Sequence, residues 1–333
     1  MRVAVTGAGG FLGRALVSRL AETGHEPVAI VKSRKDAEEY EKRGIRVLLR
    51  DLLHDEAYGG LFDGHQGLVH CAALRRHYGR WEEFRQTNIE ITRRVMEHAL
   101  ESKMERIVHI STASVYGNDR SHYGTNEEAD YAKRAVDYYT RSKIEADRVV
   151  SGLIKEKDLP AVILRPGYIW GPGDRIILPF IVERLRAGNL FLVDGGDNLL
   201  SLTFIDNVVE AIMLALVDEE AKGKAFNITD GSRVTSRKFT DDIMSVLGIN
   251  LKLKSVPYPL IYSISYLIEH SYRLMDKPSS PPYTRFLARF LKYSAFFDIS
   301  RAIYELNYKP KVSYKSGMTI MTPYLRSLYY GGK

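Results

Sequence analysis

The chain has 333 residues, of which 45% are hydrophobic and 27% charged, and its formal net charge is +7. This balance excludes a disordered or collagen-like chain, and a modest, dispersed charge excess does not indicate a nucleic-acid partner. One cysteine cannot form an internal disulfide, and no apolar run approaches the ~20 residues of a membrane span. We therefore expect a cytoplasmic protein of about two domains.

Short apolar runs alternate with longer amphipathic stretches over the first two-thirds of the chain. Strands are predicted at residues 2–6, 27–32, 47–49, 67–71, 106–111 and 161–165. Helices are predicted at residues 11–23, 36–43, 84–100 and 136–154. Nearly continuous apolar strands separated by helices are typical of a doubly wound parallel sheet, so we expect an α/β fold.

A glycine-rich turn, residues 6–13, follows the first strand and opens the first helix. Gly7, Gly10 and Gly13 allow a tight turn, close approach of a pyrophosphate, and close packing of the helix on the strand. Phe11 and Leu12 form the start of that helix, whose N-terminus favours negative charge. The turn therefore predicts a dinucleotide-binding site.

The residues after the second strand bear on the choice of dinucleotide. An Asp or Glu there would accept hydrogen bonds from the adenosine ribose and favour NAD. Instead the chain carries Lys32, Ser33 and Arg34, followed by Lys35. Cations and a hydroxyl suit the additional phosphate of NADP, so we expect NADP as the cofactor and NAD as the alternative. A solvated basic loop with no binding role would also account for these residues.

Tyr139 and Lys143 are four residues apart and therefore share one face of the predicted helix 136–154. A free tyrosine titrates near ~10, and a neighbouring ammonium together with an oxidised nicotinamide would lower that pKa. Such pairs are usually surface contacts. Here, however, the hydroxyls of Ser111 and Thr112 end the preceding strand, where open α/β sheets bind ligands.

The chain resembles the extended short-chain dehydrogenase/reductases, the superfamily that includes nucleotide-sugar epimerases and dehydratases. The resemblance rests on the glycine turn, Asp51-Leu52, residues 69–73 and 88–92, the Thr112–Tyr139–Lys143 set, and Arg165-Pro166 before residues 170–172. It implies a Rossmann-type doubly wound sheet with a smaller C-terminal substrate-binding domain, and a homodimer. Since the chain becomes rich in loops after Arg165, we place the nucleotide-binding domain at residues 1–165. Segments around 200–230 are expected to return to it, and residues 166–333 to form most of the cap.

By this resemblance, Thr112 orients the substrate oxygen, with Ser111 as the fallback. Tyr139 exchanges its proton with the substrate, and Lys143 binds the nicotinamide ribose and lowers the pKa of Tyr139. Further cofactor contacts implied by it are Asp51, Leu52, Ala72, Ala73, Arg75, Asn88, Pro166 and Gly167. Cys71 is then a small residue on a strand and not a nucleophile. For residues 75–77, a solvated loop and contact with an acidic substrate are equally plausible.

Two regions of the chain, one around Leu202 and one in the C-terminal part, distinguish the branches of this superfamily. Leu202 stands where sugar-nucleotide epimerases commonly carry an arginine for the diphosphate, although Arg175 or Arg184 could compensate. Residues 281–286, 297–302 and 306–310 are similar to 3β-hydroxysteroid dehydrogenases, sterol-4-carboxylate dehydrogenases and bacterial 2-alkyl-3-ketoalkanoate reductases. The resemblance therefore implies an NAD(P)-dependent oxidoreductase acting on a secondary alcohol or ketone of a hydrophobic substrate.

The alternative is a nucleotide-sugar epimerase or dehydratase that keeps its cofactor. A dehydratase usually carries an Asp-Glu pair after the threonine, where this chain has Ala113-Ser114, and an acidic pair, Glu127 and Glu128, follows only in the later polar loop. The nine histidines show no metal-ligand spacing, so no metal is expected. The apolar stretches within residues 258–297 are interpreted as core helices, as a substrate wall, or as a peripheral membrane contact.

Overall fold

The computed structural model describes residues 1–54, 58–277 and 279–331. The strands are β1 (Arg2–Thr6), β2 (Glu26–Val31), β3 (Arg46–Leu49), β4 (Gly67–His70), β5 (Arg106–Ile110), β6 (His122–Thr125), β7 (Ala161–Pro166), β8 (Tyr168–Trp170), β9 (Phe191–Val193), β10 (Leu199–Leu200), β11 (Leu202–Phe204), β12 (Ala225–Ile228), β13 (Val234–Thr235), β14 (Lys254–Val256) and β15 (Ala295–Phe297). The helices are α1 (Phe11–Glu22), α2 (Arg34–Lys42), α3 (Trp81–Phe84), α4 (Ile91–Glu101), α5 (Tyr138–Lys157), α6 (Ile177–Arg186), α7 (Ile205–Val217), α8 (Ser236–Leu247), α9 (Tyr258–Leu274), α10 (Arg285–Phe290), α11 (Ser300–Glu305) and α12 (Tyr314–Tyr330). A π-helical segment, Arg85–Glu90, joins α3 to α4.

Seven strands form the main sheet in the order β12-β7-β5-β4-β1-β2-β3, and every neighbouring pair is parallel. β1 lies between β2 and β4, so the chain builds the sheet outward in one direction through β3 and in the other from β4. This reversal creates a crevice at the carboxyl ends of β1 and β4, the usual ligand site of such sheets. The predicted Rossmann-type doubly wound sheet is confirmed.

The predicted strands are all present, with ends that differ by at most one residue. The helices differ more. α5 begins at Tyr138, later than predicted, because the Asp137 carboxylate accepts a hydrogen bond from the Thr140 backbone nitrogen at 2.9 Å and caps the helix there. The predicted helix 84–100 begins earlier, at Trp81, because the Glu83 carboxylate accepts from the Arg80 backbone nitrogen at 3.0 Å.

One hydrophobic core extends from the main sheet into the last helix. Val3 and Val5 of β1 belong to the same buried cluster as Met321 and Leu325 of α12. Trp170, which is fully buried, joins the two ends of this cluster through ring contacts with aromatic residues of β11, α8 and α12. The C-terminal part of the chain therefore completes the core of the sheet, beside a smaller buried cluster of its own around Val193, Ile261 and Ala288.

The C-terminal half also contributes strands beside the site. β12 extends the main sheet next to β7, and β15 pairs with β6, which lies in the connection between β5 and α5. α9 packs against α10 and exposes an apolar stripe, which consists of Leu260, Ile264, Leu267 and Leu274. Over the described ranges, no helix combines the length and apolarity that crossing a bilayer requires.

Candidate active site

A cleft of about 390 Å³ lies over the carboxyl ends of β1, β4 and β5. Its walls come from the glycine turn, the ends of these strands, α5, residues 166–177 and residues 286–297. The predicted site residues that line it are Gly7, Gly10, Phe11, Leu12, Gly13, Ala73, Arg75, Thr112, Tyr139, Lys143, Pro166 and Gly167. Residues predicted from distant parts of the sequence thus meet in one cleft.

The glycine turn has the shape and polarity that a dinucleotide phosphate requires. Gly7 adopts a φ of +67°, and a Cβ atom on it would lie 2.7 Å from the backbone nitrogen of Ala72. A Cβ atom on Gly13 would collide with the carbonyl oxygen of Gly7. The N-cap residue of α1 is Gly10, which has no side chain to accept a hydrogen bond from the first backbone nitrogens. The first turn of α1 has no acidic residue either. The N-terminus of α1 therefore suits a pyrophosphate, and the residues present fit the cofactor.

The predicted contacts for the adenosine end of the cofactor lie outside the cleft lining. Lys32, Ser33 and Arg34 follow β2, and Asp51 and Leu52 follow β3. Because β2 and β3 run parallel to β1, both groups lie at the same edge of the sheet as the glycine turn. Lys32 and Arg34 are exposed, and Leu52 is buried. Their cofactor roles stay predictions.

Thr112, Tyr139 and Lys143 lie together at the end of β5. Tyr139 and Lys143 are one turn apart on α5, and both line the cleft. Lys143 is only 2% exposed, and its Nζ donates to the carbonyl oxygen of Ile110 at 2.7 Å. Thr112 caps the turn that follows β5, and its hydroxyl lowers the pKa of Tyr139 against the larger effect of burial. The arrangement can deliver a proton to an oxygen held between Thr112 and Tyr139.

Burial dominates the protonation of these side chains. It raises the pKa of Tyr139, an effect that Arg75 and Thr112 oppose and Asp137 reinforces. Burial also lowers the pKa of Lys143 to about 8. The sequence predicted that Lys143 would lower the pKa of Tyr139. Burial outweighs the nearby charges, among which the cation that acts on Tyr139 is Arg75, and the predicted effect of Lys143 together with an oxidised nicotinamide stays a prediction. Tyr139 is therefore protonated at neutral pH, as a proton donor must be.

A buried ion pair fixes α5 beneath the cleft. The Asp147 carboxylate is fully buried and accepts from Arg165 Nε at 3.0 Å, from the Ser111 hydroxyl at 2.7 Å and from the Tyr131 hydroxyl at 3.2 Å. Since the Ser111 hydroxyl is committed to Asp147, Thr112 is the hydroxyl that faces Tyr139. Asp147 was not singled out from the sequence, although it lies two turns beyond Tyr139 on the same face of α5.

Asn88 is buried between the loop after β4 and α5, and its predicted cofactor contact stays a prediction. It is 1% exposed and does not line the cleft. Its Oδ1 accepts from the Leu74 backbone nitrogen at 2.6 Å, and its Nδ2 donates to the Leu74 carbonyl at 3.1 Å and to the Ser142 hydroxyl at 2.8 Å. Asn88 therefore links the loop after β4 to α5 through these hydrogen bonds.

His77 connects that loop to the rest of the site. Its ring stacks on Phe286 with the centroids 3.4 Å apart and meets the Tyr139 ring edge-on at 5.3 Å. Its Nδ1 lies 3.5 Å from Asp137 Oδ1. His77, Arg75 and Tyr139 all line the cleft, so the loop after β4 forms one of its walls. The sequence left open whether this loop was merely solvated.

The residues at which a diphosphate-binding arginine was considered, Leu202, Arg175 and Arg184, do not lie together in the cleft. Leu202 is 1% exposed and belongs to the core. Arg175 is exposed at the cleft, whereas Arg184 stacks on Phe180 and Tyr283 away from it. Of the arginines that could compensate for Leu202, the structure therefore brings only Arg175 to the cleft.

The acidic residues that bear on a dehydratase lie elsewhere. Glu127 accepts from the Asn227 backbone nitrogen at 2.6 Å, and Glu128 pairs with Arg301. Within the described part of the chain, Asp174 is the carboxylate that lines the cleft. It accepts from the Tyr168 hydroxyl and from two backbone nitrogens of the turn that starts α6. No further acid–base pair beside Tyr139 was found among these residues.

Part of the cleft lining is apolar. Phe286, Phe290 and Phe297 form this part, together with Tyr168 and Ile177. The phenylalanines belong to the stretch for which the sequence left a substrate wall open, whereas Tyr168 and Ile177 were not singled out. Burial raises the pKa of Cys71, on the cofactor side, to about 12, so its thiol is not a nucleophile at neutral pH.

Comparisons with known proteins agree with this geometry. Residues 3–229 match the NAD dependent epimerase/dehydratase family. The 2-alkyl-3-oxoalkanoate reductase of Shewanella oneidensis is 32% identical over 94% of this chain and 84% of its own length. The sterol-4-alpha-carboxylate 3-dehydrogenase, decarboxylating, of Mus musculus is 27% identical over 79% of this chain and 74% of its own length.

The fold is also shared with a solved enzyme. The UDP-glucuronic acid 4-epimerase of Bacillus cereus, solved with UDP-glucuronic acid and NAD, has a TM-score of 0.78 and 20% identity over 99% of this chain and 100% of its own. At this identity the likeness concerns the fold alone.

The family match and the two relatives confirm the resemblance that the motifs predicted. The chain belongs to the NAD dependent epimerase/dehydratase family and is an NAD(P)-dependent oxidoreductase of the extended short-chain dehydrogenase/reductase type.

Proposed function

We propose that this protein interconverts a secondary alcohol and a ketone on a hydrophobic substrate. The observation that carries the proposal is the cleft itself, whose lining combines Thr112 and Tyr139 with the glycine turn and with apolar side chains. The named activities of the bacterial reductase and the mouse dehydrogenase support the same chemistry. The core position of Leu202 and the apolar part of the lining favour an apolar molecule over a nucleotide sugar.

Each member of the proposed catalytic set has one task. The Thr112 hydroxyl binds the substrate oxygen and orients it toward Tyr139. Tyr139 gives its phenolic proton to that oxygen during reduction and takes it back during oxidation. Lys143 holds the nicotinamide ribose, while Arg165 and Asp147 fix the helix that carries both residues. NAD(P), when bound, accepts or supplies the hydride through carbon four of its nicotinamide.

Cofactor preference is the finer part of the proposal. Glycines 7, 10 and 13 would hold the pyrophosphate, while Lys32 and Arg34 would pair with the additional phosphate of NADP. Lys32 has no hydrogen-bond or ion-pair partner among the described residues, and the Arg34 ion pair is exposed, so both are available to an anion. NADP is accordingly the proposed cofactor.

The proposed organisation follows the sequence prediction. Residues 1–165 and the returning strand β12 bind the cofactor, and most of residues 166–331 form the cap. The apolar stripe on α9, which Lys252, Lys254 and Arg273 flank in the sequence, is proposed as a peripheral contact with a membrane surface. A homodimer remains the proposed assembly on the basis of resemblance.

The test is turnover with defined substrates. The protein is mixed with NADPH or NADP⁺ and panels of sterols, long-chain 3-oxo or 3-hydroxy acids and nucleotide sugars, and absorbance of the reduced nicotinamide is followed. Stoichiometric cofactor conversion with an apolar substrate is expected. Product from a nucleotide sugar without net cofactor change would replace the proposal with an epimerase.

A matched pair of tyrosine variants tests the catalytic assignment. Tyr139→Phe is expected to lower kcat by roughly 10²- to 10⁴-fold, because it removes the proton donor. Tyr138→Phe changes the adjacent residue, which packs against Trp81 and Phe84 and does not line the cleft, and should retain activity. Equal activity of the two variants would overturn the assignment.

A further inference from the structure

A second cavity of about 50 Å³ lies beside the cleft, between α6, β9, α8 and α10. Tyr168, Ile177 and Phe290 line both the cleft and this cavity, so these three side chains separate the two spaces. The catalytic set and the glycine turn line the cleft and not the cavity. The cavity is therefore distinct from the site described so far, although it adjoins the apolar part of the cleft lining.

The surroundings of the cavity suit an apolar group. Its lining is aliphatic or aromatic apart from three side chains that carry hydroxyls, Tyr168, Ser236 and Thr240. The Ser236 hydroxyl donates to Asn198 Oδ1 at 2.7 Å, and the Thr240 hydroxyl donates to the Ser236 carbonyl oxygen at 2.8 Å. The Tyr168 hydroxyl donates to Asp174. Since a buried water needs about two to four polar partners, hydrocarbon fits this space better than water.

A row of aromatic rings leads from the reacting position to the cavity. The His77 ring meets the Tyr139 ring edge-on at 5.3 Å and stacks on Phe286 with the centroids 3.4 Å apart. The Phe286 ring lies 6.2 Å from that of Phe290, which contacts the Tyr168 ring at the same centroid distance. All five side chains line the cleft. An apolar arm of a substrate whose oxygen is bound at Tyr139 can therefore follow these rings to the cavity.

Phe290 is the separating side chain that can move most easily. Tyr168 is held to Asp174 through its hydroxyl, and Ile177 lies in the first turn of α6. The Phe290 side chain is only partly buried, and a phenylalanine ring has no hydrogen bond to break when it turns. A change of rotamer at Phe290 would therefore join the cavity to the cleft without a movement of the backbone.

We infer that this cavity binds the end of one apolar arm of the substrate, and that Phe290 controls entry to it. An engineered cavity of about 150 Å³ holds benzene, so a space of about 50 Å³ admits roughly two or three carbons. Each methylene that enters is removed from water, whereas a longer arm meets the packed side chains beyond. The cavity thereby limits the length of that arm. Thr240 and Ile181, which line the cavity and not the cleft, are then specificity-determining residues.

This inference rests on the proposed function, and the test separates the two. Reduction of 2-alkanones, from 2-hexanone to 2-hexadecanone, by NADPH is measured for the wild type and four variants. For the wild type, kcat/KM should rise about threefold to fourfold per methylene up to an optimal chain length and no further beyond it. Thr240→Leu and Ile181→Phe add volume at the cavity and should shorten this optimum by roughly one to three carbons. Phe290→Ala removes the separating ring and should move the optimum to longer chains.

Ser245→Leu is the matched control, because it introduces the same side chain as Thr240→Leu at an exposed position of the same helix, and it should keep the wild-type optimum. A wild-type optimum in both Thr240→Leu and Ile181→Phe, or an equal shift in Ser245→Leu, would overturn the inference and leave the proposed function intact. Turnover of sterols but of no 2-alkanone would do the same. A wild-type optimum in Phe290→Ala would overturn the role of Phe290 as the entrance. Absence of turnover with every alcohol and ketone would overturn the proposed function and the inference together.

Discussion

The buried pair of Asp147 and Arg165 permits the most quantitative prediction for this chain. Their side chains are 0% and 6% exposed, and the carboxylate also accepts from Ser111 and Tyr131. Asp147→Asn keeps the shape of the side chain but leaves the Arg165 guanidinium buried without a counter-charge. Removing one partner of a buried pair costs about 3–5 kcal/mol, so we expect the free energy of unfolding to fall by that amount.

Glu145→Gln provides the matched control on the same helix. Glu145 pairs with Arg141 at 3.0 Å, but both side chains are substantially exposed, so its loss should cost no more than about 0.5 kcal/mol. Urea-induced unfolding, followed by the fluorescence of the buried Trp170, measures both effects. Adding Arg165→Met to Asp147→Asn should recover part of the loss, because an apolar side chain replaces the unpaired charge.

Equal unfolding midpoints for Asp147→Asn and Glu145→Gln would refute this reasoning, since they would mean that burial does not set the strength of the pair. A double variant less stable than Asp147→Asn alone would contradict the second step. In that case Arg165 would stabilise the fold mainly through its contacts with the Tyr116 and Tyr131 rings and hydroxyls.

Three further predictions concern the cofactor side of the cleft. Lys32→Asp combined with Arg34→Ala should raise the KM for NADPH by about tenfold or more and that for NADH much less; equal changes in the two constants would remove the NADP assignment. Burial lowers the pKa of Lys143 to about 8, so its ammonium persists below that pH and is lost above it. The kcat/KM for ketone reduction should therefore fall as pH rises through about 8, and a flat profile to pH 10 would show that the charge of Lys143 is dispensable. Gly7→Ala should weaken dinucleotide binding at least about tenfold, measured by fluorescence titration, because its methyl group would meet a backbone nitrogen beyond β4 and its φ is positive. Gly24→Ala has a similar φ of +76° with no neighbour within 4 Å, and binding as weak as that of Gly7→Ala would show that the close contact is irrelevant.

The sequence was informative where local rules determine the structure. The apolar runs placed the strands of the main sheet because buried parallel strands need apolar residues on both faces. The glycine turn was recognisable because its three glycines are required by local sterics. The spacing of Tyr139 and Lys143 sufficed to put both on one face, since helix geometry alone sets that relation.

The sequence was less informative where distant residues decide the outcome. Arg75, Arg76 and Arg80 look alike in the sequence, and only folding shows which of them finds a partner. Arg80 pairs with Asp276, 196 residues away, whereas Arg75 points into the cleft region unpaired. The same limitation applies to Asn88. Its place near the cofactor site could be predicted, but its hydrogen bonds with Leu74 form only in the folded loop. The dominant effect of burial on the pKa of Tyr139 was likewise not predictable, because burial cannot be judged from spacing.

The core that joins β1 to α12 constrains how the protein is made and altered. Because β1 is synthesised before α12, the cluster shared by Val3, Val5, Met321 and Leu325 closes only once α12 has emerged from the ribosome. A fragment ending at residue 165 would leave apolar surface of the first strands uncovered and prone to aggregation. Transplanting the entire cap from a relative would disturb the same cluster. Specificity is therefore best redesigned one side chain at a time, at Phe286, Phe290 and Phe297, with the shared core left intact.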